Sequence, residues 1–183
     1  MAFVTLGTAA TFAAAAVLLA TFFATKNDRF DRLAEWLFVV FAGFAIALAV
    51  LVQQRLETGS GLAILVTAIG IAGVSVVGLI ELLSTLGRIN FERYGGLAAL
   101  GFAGWLAWIA GVSLIGLASG AVPVLLGWLG ILVVAVALVV VGRFALDRSL
   151  VRGERSPGLA EMAPLLAVFV AVIAWLVWRG VTA

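Results

Sequence analysis

Six stretches of about 20 predominantly apolar residues follow one another along this chain, separated by short polar connections. They are residues 2–25, 33–52, 61–83, 96–117, 121–142 and 158–178. A helix of about 20 residues crosses the roughly 30 Å hydrocarbon core of a bilayer. A lone strand would leave its backbone unpaired in lipid, and no stretch alternates apolar and polar residues as barrel strands do. The sequence therefore predicts an all-α integral membrane protein with six transmembrane helices in one domain, residues 1–183.

Composition supports this prediction and removes several classes of chemistry. Of 183 residues, 65% are hydrophobic and only 11% charged, and the mean hydropathy is +1.28. Soluble domains are about 45–50% apolar and about 25% charged. The chain has no cysteine and no histidine, which excludes thiolate and imidazole metal sites and the Ser-His-Asp triad. We therefore expect no enzymatic activity, no cofactor and no bound metal.

The positions of the cations predict the topology. Nine of the eleven lie in the connections after the first, third and fifth spans: Lys26, Arg29, Arg32, Arg88, Arg93, Arg143, Arg148, Arg152 and Arg155. Only Arg55 and Arg179 lie on the other side. By the positive-inside rule, loops 26–32, 84–95 and 143–157 are cytoplasmic, both termini are extracytoplasmic, and the helices form three hairpins.

The same cations bear on partners and localisation. They are scattered over short loops rather than gathered in a stripe, so we expect the bilayer and not nucleic acid as the partner. A homo-oligomer or a larger membrane complex is also compatible with the sequence. Ten arginines to one lysine, with abundant alanine, valine and glycine, are typical of a GC-rich microbial genome, so we expect a prokaryotic plasma membrane.

Two of the predicted cytoplasmic turns share a motif. Residues 87–93 and 142–148 both read G-R-x-x-x-[DE]-R, and the first turn holds a looser copy. The spacing suggests a hairpin repeated three times, over residues 1–60, 61–120 and 121–183. Ordinary helix-end chemistry, with a cation closing one helix and an acid opening the next, would give the same pattern. In either case Arg32, Arg93 and Arg148 are candidate contacts for anionic lipid headgroups or a partner.

Span four carries the clearest packing signals. Small residues recur at every fourth position, which allows close approach of another helix in this chain or in a neighbouring subunit. They are Ala99, Ala103, Ala107 and Gly111. Beside them, Trp105 and Trp108 lie near the middle of the span, where they either fill the bundle or form an aromatic wall for a hydrophobic ligand. Near span ends, Trp36, Trp175 and Trp178 are expected to anchor at the headgroup level.

Two carboxylates enter the predicted spans, Glu81 and Glu161. Both lie roughly 10–13 Å to the cytoplasmic side of the span centre, where a like-charged pair could share a proton or a cation. The alternative is that each is a strut near the interface, Glu81 with Arg88 and Glu161 at a helix N-terminus. Pro164 follows Glu161 by about one turn and is expected to kink its helix.

Two functions remain open from the sequence. The first is a non-catalytic membrane subunit, scaffold or binder of a lipid-like ligand, with Trp105 and Trp108 at its working surface. The second is a small transporter or channel whose cytoplasmic-side gate is built on Glu81 and Glu161, with Arg88 and Arg143 nearby.

Overall fold

The computed structural model describes residues 1–25, 27–55, 60–89, 91–146 and 159–181. These residues form six helices and no strand. The helices are α1 (Ala2–Thr25), α2 (Asp28–Arg55), α3 (Gly61–Thr85), α4 (Phe91–Ser119), α5 (Val124–Leu146) and α6 (Leu159–Val181). Within the described residues, α1 to α4 are long and apolar enough to cross a membrane, and α5 contains a shorter apolar stretch, Val124–Val140. The all-helical prediction is confirmed.

Two helices begin earlier than the apolar runs predict. The second starts at Asp28 rather than at residue 33, and the fourth at Phe91 rather than at residue 96. At 28 residues, α2 is about 42 Å long, so it exceeds a hydrocarbon core of about 30 Å. Hydropathy marks only the part of a helix that lipid can cover, whereas the helix continues through polar residues that suit its N-terminus, such as Asp31.

The ends of α3 are closed by local signals. Ser60 caps the start, where its Oγ accepts a hydrogen bond from the Ala63 N–H at 3.3 Å. At the other end Gly87 has φ 66°, a left-handed conformation that favours glycine. The N–H of Gly87 donates to the Ser84 carbonyl, and that of Arg88 to the Leu83 carbonyl, both at 2.8 Å. This Schellman arrangement turns the chain from α3 toward α4.

The six helices form a closed ring. Among the described residues, each helix contacts the helices before and after it in sequence, and α6 contacts α1. Neighbouring helices are antiparallel, as shown by α2 and α3: Gln53 is paired with Thr67, whereas Glu35, earlier in α2, is paired with Ser84, later in α3. The start of α2 and the end of α3 therefore lie at the same end of the ring.

Aromatic side chains fill the middle of the ring. Phe12 of α1 lies 4.9 Å from Phe41 of α2 and 6.0 Å from Trp105 of α4, measured between ring centroids. Trp105 stacks on Trp108 at 6.2 Å, and Trp108 meets Trp175 of α6 edge-on at 6.4 Å. All five are 2% exposed or less. Six helices in a ring leave a wide centre, and these large rings close it.

The position of Trp175 corrects the prediction that it anchors at the headgroup level. Its side chain is buried, and its Nε1 donates a hydrogen bond to the Leu126 carbonyl of α5 at 3.2 Å. Nearness to a span end does not say which face of the helix a residue occupies. Trp36, by contrast, is 46% exposed, as an anchor should be.

Glycines bring α3 and α4 together. The backbones of Gly73 and Gly101 are so close that a Cβ on either residue would strike the carbonyl oxygen of the other. The predicted stripe of small residues is not this packed face, since Ala99 and Ala107 are exposed. Trp105 occupies the buried face of α4, and Ala107 lies about 200° around the helix from it. Gly111, the last member of the stripe, does pack against α3.

Candidate functional site

An open cleft of about 470 Å³ lies where the start of α2 meets the end of α3. We call it the acidic cleft, and its lining is Asp28, Asp31, Arg32, Glu35, Ser84, Thr85, Leu86 and Gly87. It lies at the end of the ring that the positive-inside rule predicts to be cytoplasmic. Three carboxylates and one guanidinium group give it a net negative character.

Helix geometry explains why the acids meet in one place. Asp28, Asp31 and Glu35 follow one another at spacings of three and four, which places them on one face of α2. Their exposure decreases along the helix, because Asp28 is exposed whereas Asp31 and Glu35 are partly buried. This face leads from the surface toward the interior of the bundle.

Glu35 joins the two helices. Ser84 Oγ donates a hydrogen bond to Glu35 Oε1 at 2.9 Å. Thr85 Oγ1 lies 3.1 Å from Glu35 Oε2 and 2.7 Å from the Glu81 carbonyl oxygen, so its hydrogen is shared between them. Hydrogen bonds to an ionised carboxylate are stronger than those between neutral groups. The contacts position Glu35 against the end of α3.

Glu81 lies one turn before Thr85 on α3 and is 7% exposed. The nearby charges that act on its carboxyl group are those of Glu35 and Asp31. Among the described residues, no hydrogen bond or ion pair reaches the Glu81 carboxyl oxygens. Arg88, its predicted partner, is exposed at the end of α3 and makes no described bond to it. The strut interpretation of Glu81 thus has no support in the described contacts.

The other predicted acid lies on a distant helix. Glu161 belongs to α6, which is opposite α3 in the ring, and the described residues of these two helices do not contact each other. The side chain of Glu161 lies outside the described residues, so its pairing with Glu81 stays a prediction. Pro164 lies inside α6 and is exposed. The kink expected there is likewise still a prediction.

The predicted arginine contacts are described only in part. Arg32 is exposed and lines the acidic cleft, where it faces carboxylates of its own helix. The side chains of Arg93 and Arg143, and all of Arg148, lie outside the described residues. The two copies of the turn motif differ in backbone, because Gly87 ends a helix whereas Gly142 continues one. The hairpin repeat and the headgroup contacts remain predictions.

Trp105 and Trp108 lie in the filled centre of the ring, both 0% exposed. Their indole Nε1 atoms, like the Ser113 hydroxyl, have no hydrogen-bond partner within the part of the chain that the structure describes. Other rings of the protein cover the faces that would contact a hydrophobic ligand, among them Phe12 and Trp175.

Sequence reasoning singled out Glu81 but missed the three acids opposite it. The signal was present, since Asp28, Asp31 and Glu35 repeat at helical spacing just before an apolar run. What the sequence could not show is that α2 and α3 place this face against Ser84 and Thr85. Across the described residues, no group of three or more Asp, Glu, His or Cys side chains could hold a metal ion together.

Comparisons with known proteins leave these observations to stand alone. No protein-family model matches the chain, and neither a curated protein nor a solved structure matches it.

Proposed function

We propose that the protein is a non-catalytic membrane protein that serves as a structural subunit and is closed to solutes along its axis. One observation carries this proposal: the centre of the helix ring is filled by aromatic side chains from four of its helices. Phe12, Phe41, Trp105, Trp108 and Trp175 meet there at centroid distances of 4.9–6.4 Å. Interiors packed in this way are dense and leave little room for water.

A solute passing through the ring would have to displace these rings. Each is anchored by several others: Trp105 meets Phe41 edge-on at 5.1 Å and Phe102 at 6.0 Å. A lipid-like ligand at the wall formed by Trp105 and Trp108 would need the same displacement. The geometry therefore favours the scaffold over the ligand binder and over the transporter.

The acid gate receives less support than the scaffold. Glu81 and Glu161 are on helices that lie across the ring from each other, with the aromatic centre between α3 and α6. A gate built on both acids would require them to approach each other through that centre. The charges near Glu81 are instead on α2, the neighbouring helix.

The proposal is tested by flux through proteoliposomes that contain the purified chain. We expect fluxes of protons, sodium and potassium equal to those of protein-free liposomes. Flux above that background, abolished by Glu81→Gln, would overturn the scaffold in favour of the transporter. Trp128→Phe, a change on an exposed side chain of α5, is the matched control and should leave the result unaltered.

A further inference from the structure

Glu81 combines near-complete burial with the absence of a described partner for its carboxyl group. It is 7% exposed, and within the described residues neither a hydrogen-bond donor nor a cation reaches its carboxyl oxygens. Burial of an ionised carboxylate without compensation is strongly unfavourable. Such a group in a membrane-spanning helix points to a bound species that compensates it.

The charges around Glu81 do not provide this compensation. On α2, Asp31 and Glu35 are close enough to repel it. The cations described nearby, Arg32 on α2 and Arg88 at the end of its own helix, are both exposed. On α4, the third helix at this interface, Tyr94 is partly buried and the side chains of residues 92 and 93 lie outside the described part of the chain.

The acidic cleft supplies the ligand chemistry that a cation prefers. Carboxylate and hydroxyl oxygens suit hard cations. Ser84 and Thr85 donate their hydrogens to Glu35, so their oxygen lone pairs remain free to face a positive charge. The cleft also lies at the C-terminal end of α3, which carries the negative end of the helix dipole.

We propose that the acidic cleft binds one monovalent cation, which compensates Glu81 and is held with the help of Glu35. A divalent metal is disfavoured, because the described residues hold no group of three or more carboxylates that could bind it together. Sodium, potassium and a small ammonium compound share the required chemistry. The proposal is independent of the structural role, since a cation bound at one end of the ring need not cross it.

Thermal unfolding of the purified full chain in lipid nanodiscs tests the site. Four salts are compared at equal ionic strength and pH: sodium, potassium, methylammonium and the bulky N-methylglucamine chloride. A cation bound only by the folded state raises the melting temperature with the logarithm of its concentration. We expect such a rise for at least one of the three small cations, and the one with the largest rise identifies the source. Equal melting temperatures in all four salts would overturn the proposal.

Variants then locate the effect. Glu81→Gln should lose the cation-dependent rise, whereas Thr67→Val should keep it. Thr67 is the matched control because it bonds Gln53 at the opposite end of the same pair of helices, at 2.6 Å. A rise that persists undiminished in Glu81→Gln would contradict the site. If that variant does not fold, Glu35→Gln decides, and an unchanged rise there would be equally contradictory.

Discussion

Ser84 on α3 donates a hydrogen bond to Glu35 on α2, with Oγ and Oε1 2.9 Å apart. The bond joins two helices close to the point where α2 begins and α3 ends, in a cleft lined by acids. At the far end of the same helix pair, Thr67 and Gln53 form a second bond of 2.6 Å. In an apolar environment, side-chain hydrogen bonds of this kind hold neighbouring helices in register.

A double-mutant cycle measures what the Ser84–Glu35 bond contributes. We expect Ser84→Ala and Glu35→Gln to be coupled by about 1–2 kcal/mol in the free energy of unfolding, because the bond has an ionised acceptor and is partly buried. Unfolding in mixed detergent micelles provides the measurement. The control cycle pairs Glu35→Gln with Ser119→Ala, whose hydroxyl bonds the Ile115 carbonyl of its own helix. Those two changes should add, and equal coupling in both cycles would show that the Ser84 contact has no special role.

The close approach of α3 and α4 predicts a steep cost at Gly73. In Gly73→Ala the new Cβ would meet the Gly101 carbonyl oxygen, a backbone atom that cannot rotate away. We expect a loss of about 1–3 kcal/mol in the free energy of unfolding, typical of overpacking. Gly43→Ala on α2 is the matched control, because no atom lies within 4 Å of the added carbon. A control variant as unstable as Gly73→Ala would mean that the cost is unrelated to this contact.

The predicted topology can be read from single cysteines, since the chain has none of its own. Asp28→Cys and Arg88→Cys place thiols at exposed positions of one end of the ring, and Ser60→Cys and Ala121→Cys at the other. We expect a membrane-impermeant maleimide applied to intact cells to label only the second pair. Labelling of the first pair alone would invert the topology, and labelling of one member from each pair would rule out the three hairpins.

Much of the fold was accessible from sequence because lipid imposes a simple rule. Apolar length alone located all six helices, and α1 and α3 begin where the apolar runs begin. Faces were harder to predict. The alanine stripe of α4 looked like a packing surface, yet Ala99 and Ala107 are exposed. In lipid both faces of a helix are apolar, so the pattern that marks the buried face of a soluble helix is weak.

The candidate site was accessible only in part for a related reason. A carboxylate within an apolar run stands out, which made Glu81 visible. Its surroundings depend on which helices are neighbours, and the sequence suggested Arg88 and Glu161 where the structure places Asp31 and Glu35 of α2 nearby. Short connections made α2 and α3 antiparallel neighbours, but the rotation of each helix comes from side-chain packing that a single sequence does not display.

The central claim is that a closed ring of helices, filled by aromatic side chains, lies in lipid. Tryptophan quenching by lipids brominated on their acyl chains tests it directly, because bromine quenches only rings that it can contact. Trp36 and Trp128 are 46% and 60% exposed, whereas Trp105, Trp108 and Trp175 are 2% exposed or less. We predict that the double variant Trp36→Phe/Trp128→Phe loses most of the quenchable fluorescence of the wild type. Strong quenching that persists in this variant and disappears in Trp105→Phe/Trp108→Phe would contradict the account.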